Sequence, residues 1–304
     1  MNIVLCGKKG KLGSVLNQHL SKNHNLFALG REDIDFCDEI ALRKKIISLK
    51  PEIIINAAAY TDVDLSEKLK EYALKINFNF TQFISSIALQ IDATLIHFST
   101  DYVFDGKKDS PYKETDLTNP INFYGLSKLY GERSIIDSSC RFLIFRISTL
   151  LGGYKDNLVY KILHKGFKNE EFTVVSDQLI TPTSVEFIAK NIELVLNKNI
   201  YDNFSFNNIY HLSPKGEISP FQLANLLFEI FNEKIKKDML NKNKIKSILQ
   251  KDFQSAAIRP KNCILNSNKF YKAVGQIPEV WDDQFNLFAN RTILKLLKEN
   301  SLNI

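Results

Sequence analysis

The sequence predicts an α/β protein in which a doubly wound parallel sheet is followed by a smaller, mostly helical C-terminal lobe. Short apolar runs without alternation recur through the first 150 residues, each followed by an amphipathic stretch. That is the pattern of strands buried on both faces and joined by crossover helices. A Gly7-x-x-Gly10-x-x-Gly13 run follows directly on the first apolar run. Residues able to do chemistry gather where the strands end, at Gly7, Arg31, 57–59, 99–100 and 147–149. The carboxyl ends of the strands are where such a sheet takes its ligand.

Asn2-Ile-Val-Leu-Cys6 is the first strand, and Leu12, Val15, Leu16 and Leu20 recur at helical spacing behind the glycines. Strand, glycine turn and helix start together make a Rossmann-like dinucleotide site, with Gly7, Gly10 and Gly13 letting the backbone approach a pyrophosphate at a helix N-terminus. Leu26–Leu29 is the second strand, and it ends at Gly30-Arg31. An Arg here accommodates a 2′-phosphate, which favours NADP over NAD. An amphipathic helix from Ile40 to Leu49 is closed by Pro51, and the strand 53–55 runs into Asn56-Ala-Ala-Ala59. These small residues let a flat or phosphorylated ligand lie against the chain. A helix over 71–89, a strand over 94–98 and another over 141–147 complete the first half.

Beyond residue 150 a strand is expected at Phe172–Val175 and a helix behind a capping box at Thr183-x-x-Glu186. A strand at 209–212 follows, then a helix opened by Ser219-Pro220-x-Gln222 and a last helix from Trp281 to Glu299. The organisation read from this is a dinucleotide-binding domain over 1–150, with 172–212 contributing to it. The substrate lobe takes 151–171 and 213–304.

Composition excludes several classes. The net charge of +6 is diffuse and argues for no nucleic-acid partner. No apolar run approaches the ~20 residues of a membrane span, and no signal peptide is evident. Cys6, Cys37, Cys140 and Cys263 are far apart, and the five histidines show no ligand pairing. They read as reduced thiols of a cytoplasmic protein with no metal site.

Tyr124-Gly-Leu-Ser-Lys128 places a phenol and an ammonium one helical turn apart. A fixed cation lowers a phenol's pKa from its usual value near 10 and makes it a usable proton donor.

Further motifs stand in order along the chain. They are Asn56-Ala-Ala-Ala-Tyr-Thr-x-Val-Asp64, Ser-Thr-Asp-Tyr-Val-Phe-Asp-Gly106, Arg146-x-Ser148, Asp177-Gln-x-x-x-Pro-Thr183 and Arg259-Pro-x-Asn-x-x-Leu265. With the glycine run and the Tyr-Lys pair, they resemble the extended short-chain dehydrogenase/reductases. The likeness is closer to the dTDP-4-dehydrorhamnose reductase group and covers nearly the whole chain. The resemblance implies NAD(P)H-dependent reduction of the 4-keto group of a nucleotide-linked 6-deoxyhexose, for surface polysaccharide precursors. It implies that Tyr124 donates the proton, Lys128 depresses the Tyr pKa and holds the nicotinamide ribose, and Thr100 hydrogen-bonds the reacting oxygen. Gly10, Lys11 and Leu12 then contact the pyrophosphate, Asp35 and Phe36 the adenine, and Ala58, Ala59, Tyr60 and Thr61 line the cofactor. Asp101 and Arg259 are implied to hold the nucleotide-sugar, and the assembly allowed is a homodimer. Thr149 departs from the group, which commonly has an aromatic, usually Trp, at that place for a sugar to stack on. Two rivals keep the fold: an epimerase or dehydratase recycling bound NAD, and a regulatory subunit without turnover. A dehydratase is expected to have Asp-Glu after the Thr, where this chain has Asp101-Tyr102.

Overall fold

Strands β1 (Asn2–Cys6), β2 (Asn25–Leu29), β3 (Ile53–Asn56), β4 (Thr94–Thr100) and β5 (Phe142–Ile147) share one sheet with β9 (Asn208–His211). All pairs are parallel, in the order β2-β1-β3-β4-β5-β9. The computed structural model describes residues 1–36, 38–153, 157–202 and 204–299. Cys37 and residues 154–156 and 300–304 of the expected lobe lie outside these. The order reverses between β1 and β3, because the chain first winds outward to β2 and then crosses to the other side of β1. The crevice at that reversal lies over the carboxyl ends of both strands.

Alternate residues of each strand feed two cores, as the period of two requires. Ile3, Leu5, Ile53, Ile55, Leu143 and Phe145 pack under α1 (Lys11–Leu20), α8 (Val185–Leu196) and α11 (Asn268–Val274). Val4, Ile54, Leu95 and Ile144 pack on the other face, under α2 (Glu39–Ser48), α5 (Phe80–Gln90) and α6 (Phe123–Asp137). Leu12, Leu16 and Leu20 of α1 are buried, each worth roughly 1.5–3 kcal/mol as an upper estimate.

The helix expected over 71–89 is broken. After α3 (Val63–Lys68), α4 (Lys70–Leu74) is followed by a π-helical turn, Lys75–Asn79, before α5. Such a turn inserts one residue and re-aims the next side chains, here turning Asn77 inward. The capping box expected at Thr183 also differs. Thr183 and Ser184 form β8, paired with β6 (Leu150–Leu151), so Thr183 is held extended. The cap is Ser184, which accepts from the Phe187 N–H at 3.1 Å. The Ser219–Gln222 box forms as expected and opens α10 (Pro220–Ile235).

The stretch 172–212 is divided between two bodies. α8, the short α9 (Lys198–Tyr201) and β9 belong with the sheet. β7 (Phe172–Val175) instead pairs with β10 (Ile245–Ile248) and packs with α7 (Leu158–Phe167), α10 and α12 (Trp281–Glu299). Sequence reading gave no account of α7 or β10. A strap over 257–266 ties this lobe back to the sheet. Ile264 and Asn266 bond the two sides of Tyr112, Cys263 N–H reaches Leu179, and Asn122 Nδ2 donates to Ile258 at 2.8 Å. Among the described residues no helix is long and apolar enough to cross a membrane.

Candidate active site

Gly7 closes β1 with φ +93°, and a Cβ there would lie 2.8 Å from the Ala58 nitrogen. A Cβ on Gly13 would lie 2.0 Å from the Gly7 carbonyl oxygen. Only glycines allow β1, the first turn of α1 and the end of β3 to approach this closely. Gly10, Lys11 and Leu12 begin a helix whose first turn has no acidic residue, so its N-terminal dipole faces the crevice unopposed. This cradle fits a dinucleotide pyrophosphate. Ala58 and Ala59 are half-buried beside it, Tyr60 is fixed by Asn77, and Thr61 is exposed.

At the end of β2, Arg31 is exposed and forms no hydrogen bond or ion pair among the described residues. Glu32 and Asp33 follow Arg31 at once. Lys8 and Lys9 neutralise them, with Lys8 Nζ 2.7 Å from Asp33 and Lys9 Nζ 3.2 Å from Glu32. Asp35 is exposed, and the ring of Phe36 stacks on Phe80 at 4.9 Å, beside a small cleft that also involves Asn79.

The chemistry sits where β4 ends. Asn122 caps α6 by accepting from the Gly125 N–H at 2.8 Å. A Cβ on Gly125 would lie 2.1 Å from the Tyr102 carbonyl, so this glycine lets the helix start lie against the turn after β4. Tyr124 is thereby brought beside the end of β4, with its ring edge-on to Tyr102 at 5.9 Å. Tyr124 keeps partial solvent access.

Lys128 is only 2% exposed. Its ammonium donates to the Phe98 carbonyl at 2.6 Å and lies 3.2 Å from His97 Nε2. Burial holds Lys128 down to about 8, with Glu132 opposing. The expected lowering of the phenol is not found. Burial pushes Tyr124 up to about 12, and the relief comes from Thr100, because the Lys128 ammonium is engaged under β4.

Three buried groups of this site, His97, Glu132 and Asn77, and the part-exposed Asp64 were given no role from the sequence. His97 is held neutral by burial and by Lys128, so its Nε2 accepts from the ammonium. Glu132, one turn after Lys128, is forked by Arg146 at 2.9 and 2.7 Å. Asn77 holds Tyr60 to α6 through Ser127 at 2.9 Å. Asp64 receives both guanidinium nitrogens of Arg259, at 3.3 and 2.6 Å. Two signals were legible: a His inside an otherwise apolar strand, and a Glu at i+4 from a Lys.

Arg259 therefore reaches the cleft already paired. With Tyr102, Thr149, Lys161, Lys165 and Phe253 it lines a cavity of about 440 Å³ that has no carboxylate in its wall. Asp101 does not line it; its oxygens are taken by Thr100 and Ser148 at 2.8 and 3.1 Å.

The RmlD substrate binding domain model matches residues 1–293. The chain belongs to this family. Among its RmlD relatives, the dTDP-4-dehydrorhamnose reductase of Escherichia coli K12 is 34% identical over 290 residues, covering 92% of this chain and 94% of the relative. The crystal structure of the Clostridium acetobutylicum dTDP-4-dehydrorhamnose reductase superposes with a TM-score of 0.84 at 28% identity, over 98% and 100% of the two chains. That of the Bacillus anthracis reductase, in complex with NADP, gives 0.83 at 27% identity over 96% and 98%.

Proposed function

We propose that this RmlD-family chain reduces the 4-keto group of a nucleotide-linked 6-deoxyhexose, with dTDP-4-dehydrorhamnose, named in its relatives, as the first substrate to try. The chain is an NAD(P)-dependent oxidoreductase, and its cofactor is NADP or NAD. One juxtaposition supports the reading: Thr100 and Tyr124 lie at the end of β4, in the sheet that carries the glycine cradle, and Tyr124 packs on Tyr102, which lines a cavity walled by three cations and no carboxylate. Such a wall suits a diphosphate, and a paired Arg259 adds a rigid fork.

The nicotinamide cofactor, when bound, supplies the hydride to the ketone carbon. Tyr124 gives its proton to the ketone oxygen, and Thr100 holds that oxygen by a hydrogen bond. Lys128, charged below about 8, holds the cofactor ribose. Gly7, Gly10, Lys11, Leu12 and Gly13 hold the pyrophosphate, Arg31 the 2′-phosphate of NADP, and Asp35 and Phe36 the adenine. Ala58, Ala59, Tyr60 and Thr61 flank the cofactor, and Thr149 and Arg259 face the nucleotide-sugar, with Asp101 behind Thr100.

The same reading places the protein in the cytoplasm, in surface polysaccharide precursor synthesis, and takes a homodimer as its assembly. NADPH oxidation against dTDP-, UDP-, GDP- and CDP-linked 4-keto-6-deoxy sugars tests it. Turnover of the dTDP sugar is expected, and no turnover of any sugar by protein that binds NADPH overturns the reading.

A further inference from the structure

Asp101 Oδ1 lies 2.8 Å from the Thr100 hydroxyl oxygen and Oδ2 3.1 Å from that of Ser148. Ser148 Oγ is also 3.1 Å from the backbone carbonyl oxygen of Cys263, in the strap. A carbonyl oxygen only accepts, and Ser148 has a single proton. With that proton on Cys263, the Ser148–Asp101 contact is a hydrogen bond only if Asp101 donates. A proton on Oδ2 satisfies every contact along Thr100, Asp101, Ser148 and Cys263. An ionised Asp101 leaves two acceptors competing for one proton.

The surroundings point the same way. Asp101 is 4% exposed and has no ion-pair partner among the described residues. The titratable groups facing it are all acids: Tyr124 from α6, Tyr102 from its own turn and Cys263 from the strap. Arg259, which reaches Tyr102, is forked onto Asp64, and Lys128 is turned to the Phe98 carbonyl. Burial pushes the Asp101 carboxyl up to about 7, with hydrogen bonds from Thr100, Ser148 and the backbone N–H groups of Asp101 and Tyr102 opposing.

We propose that Asp101 is a positioning residue that works as a neutral carboxylic acid behind Thr100, and that its ionisation turns reduction off. The proposal rests on the reductase reading above. Neutral Asp101 offers Oδ1 as an ordinary acceptor, so the Thr100 hydroxyl can turn to the reacting oxygen beside Tyr124. The carboxylate draws the Thr100 proton into a charge-assisted bond. Its charge also opposes the phenolate that Tyr124 becomes on giving up its proton.

Two measurements test this. In the first, kcat/KM for dTDP-4-dehydrorhamnose at saturating NADPH is followed against pH for wild type and Asp101→Asn. Wild type should lose rate above neutrality, about tenfold per unit for a single ionisation. The Asn variant, several-fold slower at pH 6, should carry its alkaline limb about one unit or more higher. An Asn variant with the wild-type limb overturns the proposal.

The second is the infrared carbonyl band of a protonated carboxyl in wild type, expected at pH 6, lost by pH 9 and displaced in Ser148→Ala, which lacks the proton's acceptor. No such band at pH 6, or a band indifferent to Ser148→Ala, overturns the proposal even if Asp101→Asn does not fold. The band requires no turnover. Wild type that shows it yet reduces no sugar refutes only the reductase reading.

Discussion

Glu132→Gln removes one half of a charge pair that is almost wholly sequestered, Glu132 being 1% and Arg146 3% exposed. The carboxylate accepts both limbs of the guanidinium, so the variant leaves Arg146 buried with its charge uncompensated. Breaking such a pair costs about 3–5 kcal/mol. With about 2.1 cal/mol/K of unfolding entropy per residue, a chain of 304 residues loses roughly 5–8 °C in Tm for that cost. Differential scanning calorimetry at pH 7 and fixed protein concentration reads it. The double variant Glu132→Met, Arg146→Met removes both charges and keeps the volume, so it should unfold within about 2 °C of wild type or above it, because removing both members of a buried pair is often neutral or stabilising. A Gln variant that melts less than about 2 °C below wild type, or a double variant as unstable as the two singles summed, refutes the uncompensated-charge account.

Tyr124→Phe keeps the ring and removes the proton donor, so the NADPH dissociation constant measured by fluorescence should be unchanged while kcat falls about 10²–10⁴-fold; turnover within a few-fold of wild type removes Tyr124 from the mechanism. Arg31→Ala should raise KM for NADPH about tenfold or more while sparing NADH, since one lost charge-assisted contact to a phosphate is worth about 1.5–3 kcal/mol; equal effects on both cofactors count against a 2′-phosphate site.

The sheet was legible because each of its strands is a local signal. Ile53-Ile-Ile55 and Leu143-Ile-Phe145 need no partner to be recognised as buried on both faces, and the glycine turn announces the cradle in seven residues. Tyr124 and Lys128 were found for the same reason, being one helical turn apart. What they touch was not legible. Asp64 meets Arg259 across 195 residues, and Ser148 meets the Cys263 carbonyl across 115. No periodicity encodes such pairings. The expectation that Lys128 lowers the phenol treated four-residue spacing as contact. The third dimension supplied a nearer acceptor, the Phe98 carbonyl, and a burial cost that spacing does not contain. The π-helical turn before α5 escaped because it inserts one residue into an otherwise regular helical pattern.

The strap over 257–266 gives the protein a timetable. Every strand of the central sheet has been made by His211, so the dinucleotide cradle can form while the ribosome is still adding α10 and β10. The carbonyl that completes the Asp101 chain belongs to Cys263, and the backbone that brackets Tyr112 to Ile264 and Asn266. A nascent chain that ends before these residues also lacks α11, whose Phe270, Tyr271 and Val274 pack on the sheet, so both the wall of the reaction site and part of the core arrive last. Domains fold as units during synthesis, N-terminal first. Here the reaction site closes last, because the Cys263 carbonyl follows the final strand of the sheet by about fifty residues of translation.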